Sequence, residues 1–172
     1  GIKAPRAPKR LPNALTETEA VRLVEAPEND DNNSSPAIIA RDQAMFEVLY
    51  GCGIRIGELV GLNVQDVDLA SGEMRVFGKG RKERIAPLGA PAIAAINAWL
   101  TARTAPTNPE DGNALFLGTR GERIAAPVVR RALKTRALQQ GITSNVYPHR
   151  LRHSFASHVL QSSGDLRAVQ EL

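Results

Sequence analysis

Glu73-Met74-Arg75-Val76-Phe77-Gly78-Lys79-Gly80-Arg81-Lys82-Glu83-Arg84-Ile85-Ala86-Pro87-Leu88 is where the sequence changes its period. Two short runs of β-type composition, Glu73 to Phe77 and Arg84 to Leu88, flank a stretch rich in glycine and lysine, which reads as a hairpin with a long basic turn. On both sides the period is helical. Upstream, a short helix is predicted from Ile56 to Gly61, and a longer buried one starts at Ala37, carried by Ile38, Met45, Val48, Leu49 and Cys52 and ended by Gly51 and Gly53. Thr16, with Glu19 three residues on, reads as a capping box opening a helix to about Ala26. Pro27 to Pro36 holds no large apolar residue and reads as an exposed loop. Downstream, Pro91 opens a helix through Ile93, Ile96 and Leu100 with Trp99 packed nearby, and Leu115-Phe116-Leu117 reads as one more short strand. Pro127 opens a basic helix to about Gln140, Pro148 stands in the first turn of a helix to about Gln161, and Asp165 caps a last one. The expected fold is mainly α with a small antiparallel β-sheet, an α+β chain.

The chain has 172 residues, 42% hydrophobic and 23% charged, enough for one compact domain and unlike a disordered or fibrous sequence. Its apolar runs are only a few residues long, which excludes a membrane span of about 20 residues. No initiator methionine and no signal peptide open it, and the expectation is a piece of a longer protein. A single cysteine allows no internal disulfide, and with three histidines it makes no Cys-rich zinc site, so a cytoplasmic location fits. The net charge of +4 is unevenly spread. Residues 1–10 carry four bases and no acid, residues 11–77 twelve acids against four bases, and residues 120–172 nine bases against three acids. Such segregation suits a polyanion, because basic side chains that neutralise phosphates release counterions; a solvated basic face is the alternative.

Pro148-His149-Arg150-Leu151-Arg152-His153-Ser154-Phe155-Ala156 holds the most chemistry. On a helix His149, Arg152, His153 and Ala156 share one face. A guanidinium fork binds phosphate at two points, and an imidazole beside it exchanges protons with a leaving group. His149 and His153 have metal spacing, but the residues between them supply two cations and no carboxylate, so no metal is expected. Gly51-Cys52-Gly53-Ile54-Arg55-Ile56-Gly57 misses the dinucleotide fingerprint and follows a helix, and Gly78-Lys79-Gly80 lacks the spacing of a phosphate loop, so no cofactor is expected. Cys52 reads as a small core residue.

Three segments in order, Gly53 to Leu62, Val76 to Leu88 and Pro148 to His158, resemble the catalytic domain of the tyrosine recombinases, most of all the bacterial Xer type. The likeness covers about Leu15 to Leu172 and implies a basic, Pro-rich arm or interdomain linker over 1–14 and a catalytic domain over 15–172. It also implies that Arg55, Lys79, His149 and Arg152 act together on one DNA phosphate. In these roles Arg55 and Arg152 clamp the non-bridging oxygens of the transition state, Lys79 is the general acid for the departing 5′-hydroxyl, and His149 assists proton transfer. Arg81, Lys82, His153, Arg130 and Arg131 form a second tier of DNA-binding and supporting residues. Other roles stay open for three of these: Arg55 as a helix cap or partner of Glu58, Lys82 in place of Lys79, and His153 bonded within its helix.

The family pattern continues with a second histidine or tryptophan and then the attacking tyrosine, whereas Tyr50 and Tyr147 both precede that position. The expectation is therefore a C-terminally incomplete catalytic domain without its nucleophile, which binds DNA and does not cleave it. The resemblance implies site-specific recombination through a 3′-phosphotyrosyl intermediate, with chromosome dimer resolution as the biological role. The implied partners are a double-stranded recombination site, a second recombinase protomer in a homo- or heterotetramer, and a DNA translocase. A non-catalytic DNA-binding or assembly module and a phage or mobile-element integrase are the alternatives; a type IB topoisomerase is less like these motifs.

Overall fold

The structure, a computed structural model, describes residues 16–25, 35–103 and 113–142. Five helices and three strands follow one another there: α1 (Glu17–Val24), α2 (Pro36–Cys52), α3 (Ile56–Val60), β1 (Val67–Asp68), β2 (Glu73–Phe77), β3 (Glu83–Pro87), α4 (Ala90–Ala102) and α5 (Ala126–Gln139). The expected α+β architecture is what the chain adopts. The Thr16 hydroxyl accepts the Glu19 N–H at 3.0 Å and the Glu19 carboxylate accepts the Thr16 N–H at 3.0 Å, so the capping box that opens α1 is complete. Ser35 caps α2, whose first residue is Pro36, and Gly53 closes it in the left-handed region at φ 61°, where a Cβ would be strained.

Helix α2 is the centre of the molecule. Its widest contact is with α4, and it also touches α1, α3 and α5. Met45, Phe46, Val48 and Leu49 from α2 meet Ile96 and Trp99 from α4, Leu23 from α1, and Val129 and Leu133 from α5, all buried. Cys52 belongs to this core, and burial pushes its thiol up to about 12.

The three strands form one antiparallel sheet in the order β1-β2-β3, with Val76 opposite Arg84 and Phe77 opposite Glu83. β1 was not foreseen, since two residues are too few to show a period. The pleat turns Met74, Val76 and Ala86 to the core and leaves Arg75, Phe77 and Ile85 outside. A further short strand at Leu115-Phe116-Leu117 is not formed: Ala114 and Leu117 make only isolated bridges, to Asn63 and Arg123. The reason is chemical. This buried segment has its carbonyls taken by side chains, Leu115 O by the Trp99 indole at 2.8 Å and by Arg103, Ala114 O by Arg103, and Leu117 O by Arg41. Within it Phe116 O alone accepts a backbone N–H, that of Ile124 at 3.0 Å, so pairing stays limited to single contacts. The loop expected from Pro27 to Pro36 and the helices expected after Pro148 and Asp165 fall, except for Ser35 and Pro36, outside the described residues.

Candidate active site

Helix α3 and the hairpin meet beside an open cleft of about 870 Å³. Arg55 reaches it from the N-terminal end of α3; Phe77, Lys79 and Lys82 reach it from the end of β2 and the hairpin turn. Arg55, Lys79, Arg81 and Lys82 are all exposed. The turn is short and tightly wound: Lys79–Arg81 form a non-helical bend closed at its base by the Gly78 N–H donating to Lys82 O at 2.8 Å. Gly80 lies at φ 73° and Arg81 at φ 59°, two successive left-handed residues that lift Lys79 and Lys82 to the same side of the hairpin as the cleft.

The position of Arg55 is set by Glu58. The Arg55 N–H donates to Glu58 Oε1 at 2.8 Å, so the partnership foreseen between these residues is made by the Arg55 backbone, and the residue caps α3 as the alternative reading allowed. Glu58 also holds Arg84 of β3 in an ion pair through both guanidinium Nη atoms, Nη1 to Oε2 and Nη2 to Oε1. The sequence reading passed over Arg84. The available signal was its register: the inward-facing position opposite Val76 asks a charged side chain for a partner.

Among the residues expected to act together, the structure thus brings Arg55 and Lys79 to one cleft with Lys82 beside them. Arg81 sits on the turn without lining the cleft, and Arg130 and Arg131, exposed on α5, do not line it either. His149, Arg152, His153 and Tyr147 lie outside the described residues. Tyr50, on α2, is half-buried against the core. Among the described residues no group of three or more His, Cys, Asp or Glu side chains is placed to hold a metal, and no helix is long and apolar enough to cross a membrane.

Two guanidinium- and ammonium-bearing side chains aimed into an open cleft can bind one phosphate and stabilise negative charge growing on it. Comparison with known proteins points the same way. Residues 13–172 match the model of the phage integrase family. Tyrosine recombinase XerC of Alcanivorax borkumensis is 46% identical over 171 residues, 99% of this chain and 54% of that protein. Tyrosine recombinase XerC of Escherichia coli O127:H6 is 46% identical over 172 residues, 100% of this chain and 55% of that protein. The chain spans about half the length of the curated relatives it matches. Among solved structures, XerA recombinase superposes with a TM-score of 0.78 at 33% identity, over 94% of this chain and 56% of that one. The pre-cleavage complex of XerH site-specific recombinase with its difH substrate superposes with a TM-score of 0.80 at 26% identity, over 97% of this chain and 48% of that one. The chain therefore belongs to the phage integrase family, and along its whole length it is similar to the tyrosine recombinase XerC.

Proposed function

We propose that residues 15–172 are the phosphate-activating catalytic domain of a XerC-like, site-specific DNA recombinase, joined to the rest of its machinery by the basic arm of residues 1–14. The observation that carries this reading is the convergence of Arg55 and Lys79, from a helix end and a hairpin turn, on one open cleft. In the reaction, a tyrosine hydroxyl attacks the scissile phosphorus, a P–O bond to tyrosine forms, and the bond to the 5′-oxygen breaks. The 5′-oxygen leaves with a proton from Lys79. Arg55, with Arg152, neutralises the non-bridging oxygens as charge builds on them, and His149 assists the proton transfer by taking up the proton that the tyrosine hydroxyl gives up. Because the 3′-phosphotyrosyl link keeps the energy of the diester, a second 5′-hydroxyl reverses the step and rejoins the strands without ATP or metal. Neither Tyr50, half-buried on α2, nor Tyr147, which precedes the phosphate-binding helix read from the sequence, is assigned as the nucleophile. The role we assign is chromosome dimer resolution in the cytoplasm, in a tetramer with a second recombinase protomer on a double-stranded site, with a DNA translocase as further partner.

The test is single-turnover cleavage of a nicked suicide substrate by the intact protein. Arg55→Ala and Lys79→Ala should each lower the rate by about 100-fold or more while leaving DNA affinity nearly unchanged, because the lost interactions are strongest in the transition state. The 172 residues alone should form no covalent DNA adduct. Near-normal cleavage by Arg55→Ala would reject the assignment, and an intact protein that binds the site but never cleaves it would favour the non-catalytic DNA-binding module.

A further inference from the structure

We propose that Arg84 is a positioning residue for this reaction: acting through Glu58, it holds the end of α3 that presents Arg55 in register with the hairpin turn that presents Lys79. The inference rests on the recombinase reading above and adds a residue to it.

One carboxylate joins three pieces of chain here. Glu58 Oε1 accepts the Arg55 N–H at 2.8 Å and Arg84 Nη2 at 3.3 Å, while Oε2 accepts Arg84 Nη1. The base of the turn abuts the same group, since a Cβ placed on Gly78 would sit 3.5 Å from Glu58 Oε2. The Glu58 side chain is only 9% exposed and that of Arg84 26%, so the pair is partly shielded from water and strengthened accordingly. A planar fork engaging both carboxylate oxygens fixes rotation as well as distance, whereas a lysine ammonium fixes distance alone. Strand β3 is thereby tied to α3, and the turn leading into β3 inherits that placement.

Charge adds a second effect. Glu58 lines the cleft that Arg55 and Lys79 share, and its negative charge opposes a DNA phosphate there. Arg84 balances that charge. Without Arg84, that uncompensated carboxylate opposes the negative charge that grows on the phosphate in the transition state, an effect larger on the rate than on ground-state affinity.

The experiment uses the intact protein with Arg84→Ala, Arg84→Lys, Glu58→Gln and the double variant Arg84→Ala/Glu58→Gln. For each, DNA affinity, single-turnover cleavage and thermal midpoint are measured beside wild type, Arg55→Ala and Lys79→Ala. Arg84→Ala should slow cleavage up to about 100-fold, as expected of a small misplacement of reacting groups, with DNA affinity held within about three-fold. Arg84→Lys, which keeps the charge and is the variant least disruptive to folding, should fall between Arg84→Ala and wild type. The double variant should be no slower than Arg84→Ala, because the two side chains act as one unit. Cleavage by Arg84→Ala at the wild-type rate, or a loss of cleavage matched by equal losses of affinity and thermal midpoint in both Arg84 variants, overturns the proposal. If Arg55→Ala and Lys79→Ala are inactive while Arg84→Ala is normal, this inference alone fails; if those two cleave normally, the recombinase reading falls and takes it along.

Discussion

Arg136 and Arg130 share helix α5 and a charge, yet they face different solvents. Arg136 is 5% exposed; its Nη1 donates to Leu23 O at 3.1 Å, to Glu25 O at 2.8 Å and to Gln43 Oε1 at 3.2 Å, and its guanidinium lies 4.7 Å from the Phe46 ring centroid. Arg130 and Arg131 are exposed. Arg136→Ala should therefore cost about 3 kcal/mol in urea unfolding, because it strands buried carbonyls and an amide oxygen, while Arg130→Ala and Arg131→Ala should stay within about 0.5 kcal/mol and weaken DNA binding instead. The sequence held the signal that separates them: Val129, Leu133 and Arg136 fall on one helical stripe, and the first two are apolar. Cys52 is a second case in which burial decides behaviour. Its thiol ionises at about 12 when folded against an ordinary value of 9.0, so between those values the unfolded chain releases the proton first and stability falls as pH rises. The slope from this group reaches about 1.4 kcal/mol per pH unit and should vanish in Cys52→Ala, as read from urea midpoints across alkaline pH.

The hairpin shows which parts of an element a sequence reveals. Its two runs of β-type composition placed β2 at its observed ends and β3 one residue late, Arg84 to Leu88 instead of Glu83–Pro87, because a strand end is set by pairing with Phe77 and not by composition. The tightness of the turn was less legible, since a glycine beside three basic residues permits many conformations. In the folded chain Gly80 takes φ 73° with nothing within 4 Å of a Cβ placed on it. Gly80→Ala should thus cost about 1 kcal/mol from backbone strain alone, with no steric clash, and should lower cleavage more than DNA affinity because Lys79 is re-aimed. A thermal midpoint equal to that of wild type would show that the turn does not hold this conformation in solution.

At the scale of the whole molecule, the charge count overstated the basic surface. Arg41, Arg103, Arg123 and Arg136 spend their guanidinium groups on internal partners, mainly backbone carbonyls. The exposed cations among the described residues include Arg55, Lys79, Arg81 and Lys82 around the cleft and Arg130, Arg131 and Lys134 on α5. Duplex DNA affinity should accordingly fall steeply with salt, and replacing one phosphate-contacting lysine should lower the slope of log K against log salt by about 0.9, measured by fluorescence anisotropy. Replacing Arg123 should leave that slope unchanged, because its Nη1 bonds Val60 O and Leu62 O at 3.0 Å. The mainly helical plan and the small sheet were legible because helical and strand periods differ. The cleft was legible only as a set of residue types, since a convergence of chain segments leaves no local period. Of the four central residues, Arg55 and Lys79 are placed, while His149 and Arg152 lie outside the described residues.

The buried stretch around Leu115 carries a kinetic consequence. Strand pairing can spread from one residue to the next, but carbonyls capped by Trp99, Arg103 and Arg41 must wait until α2 and α4 have formed and brought those side chains into place. The Arg41 bond closes a loop across 76 residues, an entropic toll met only after local structure exists. Docking of this layer therefore depends on α2 and α4 being in place, which makes it a late step of folding.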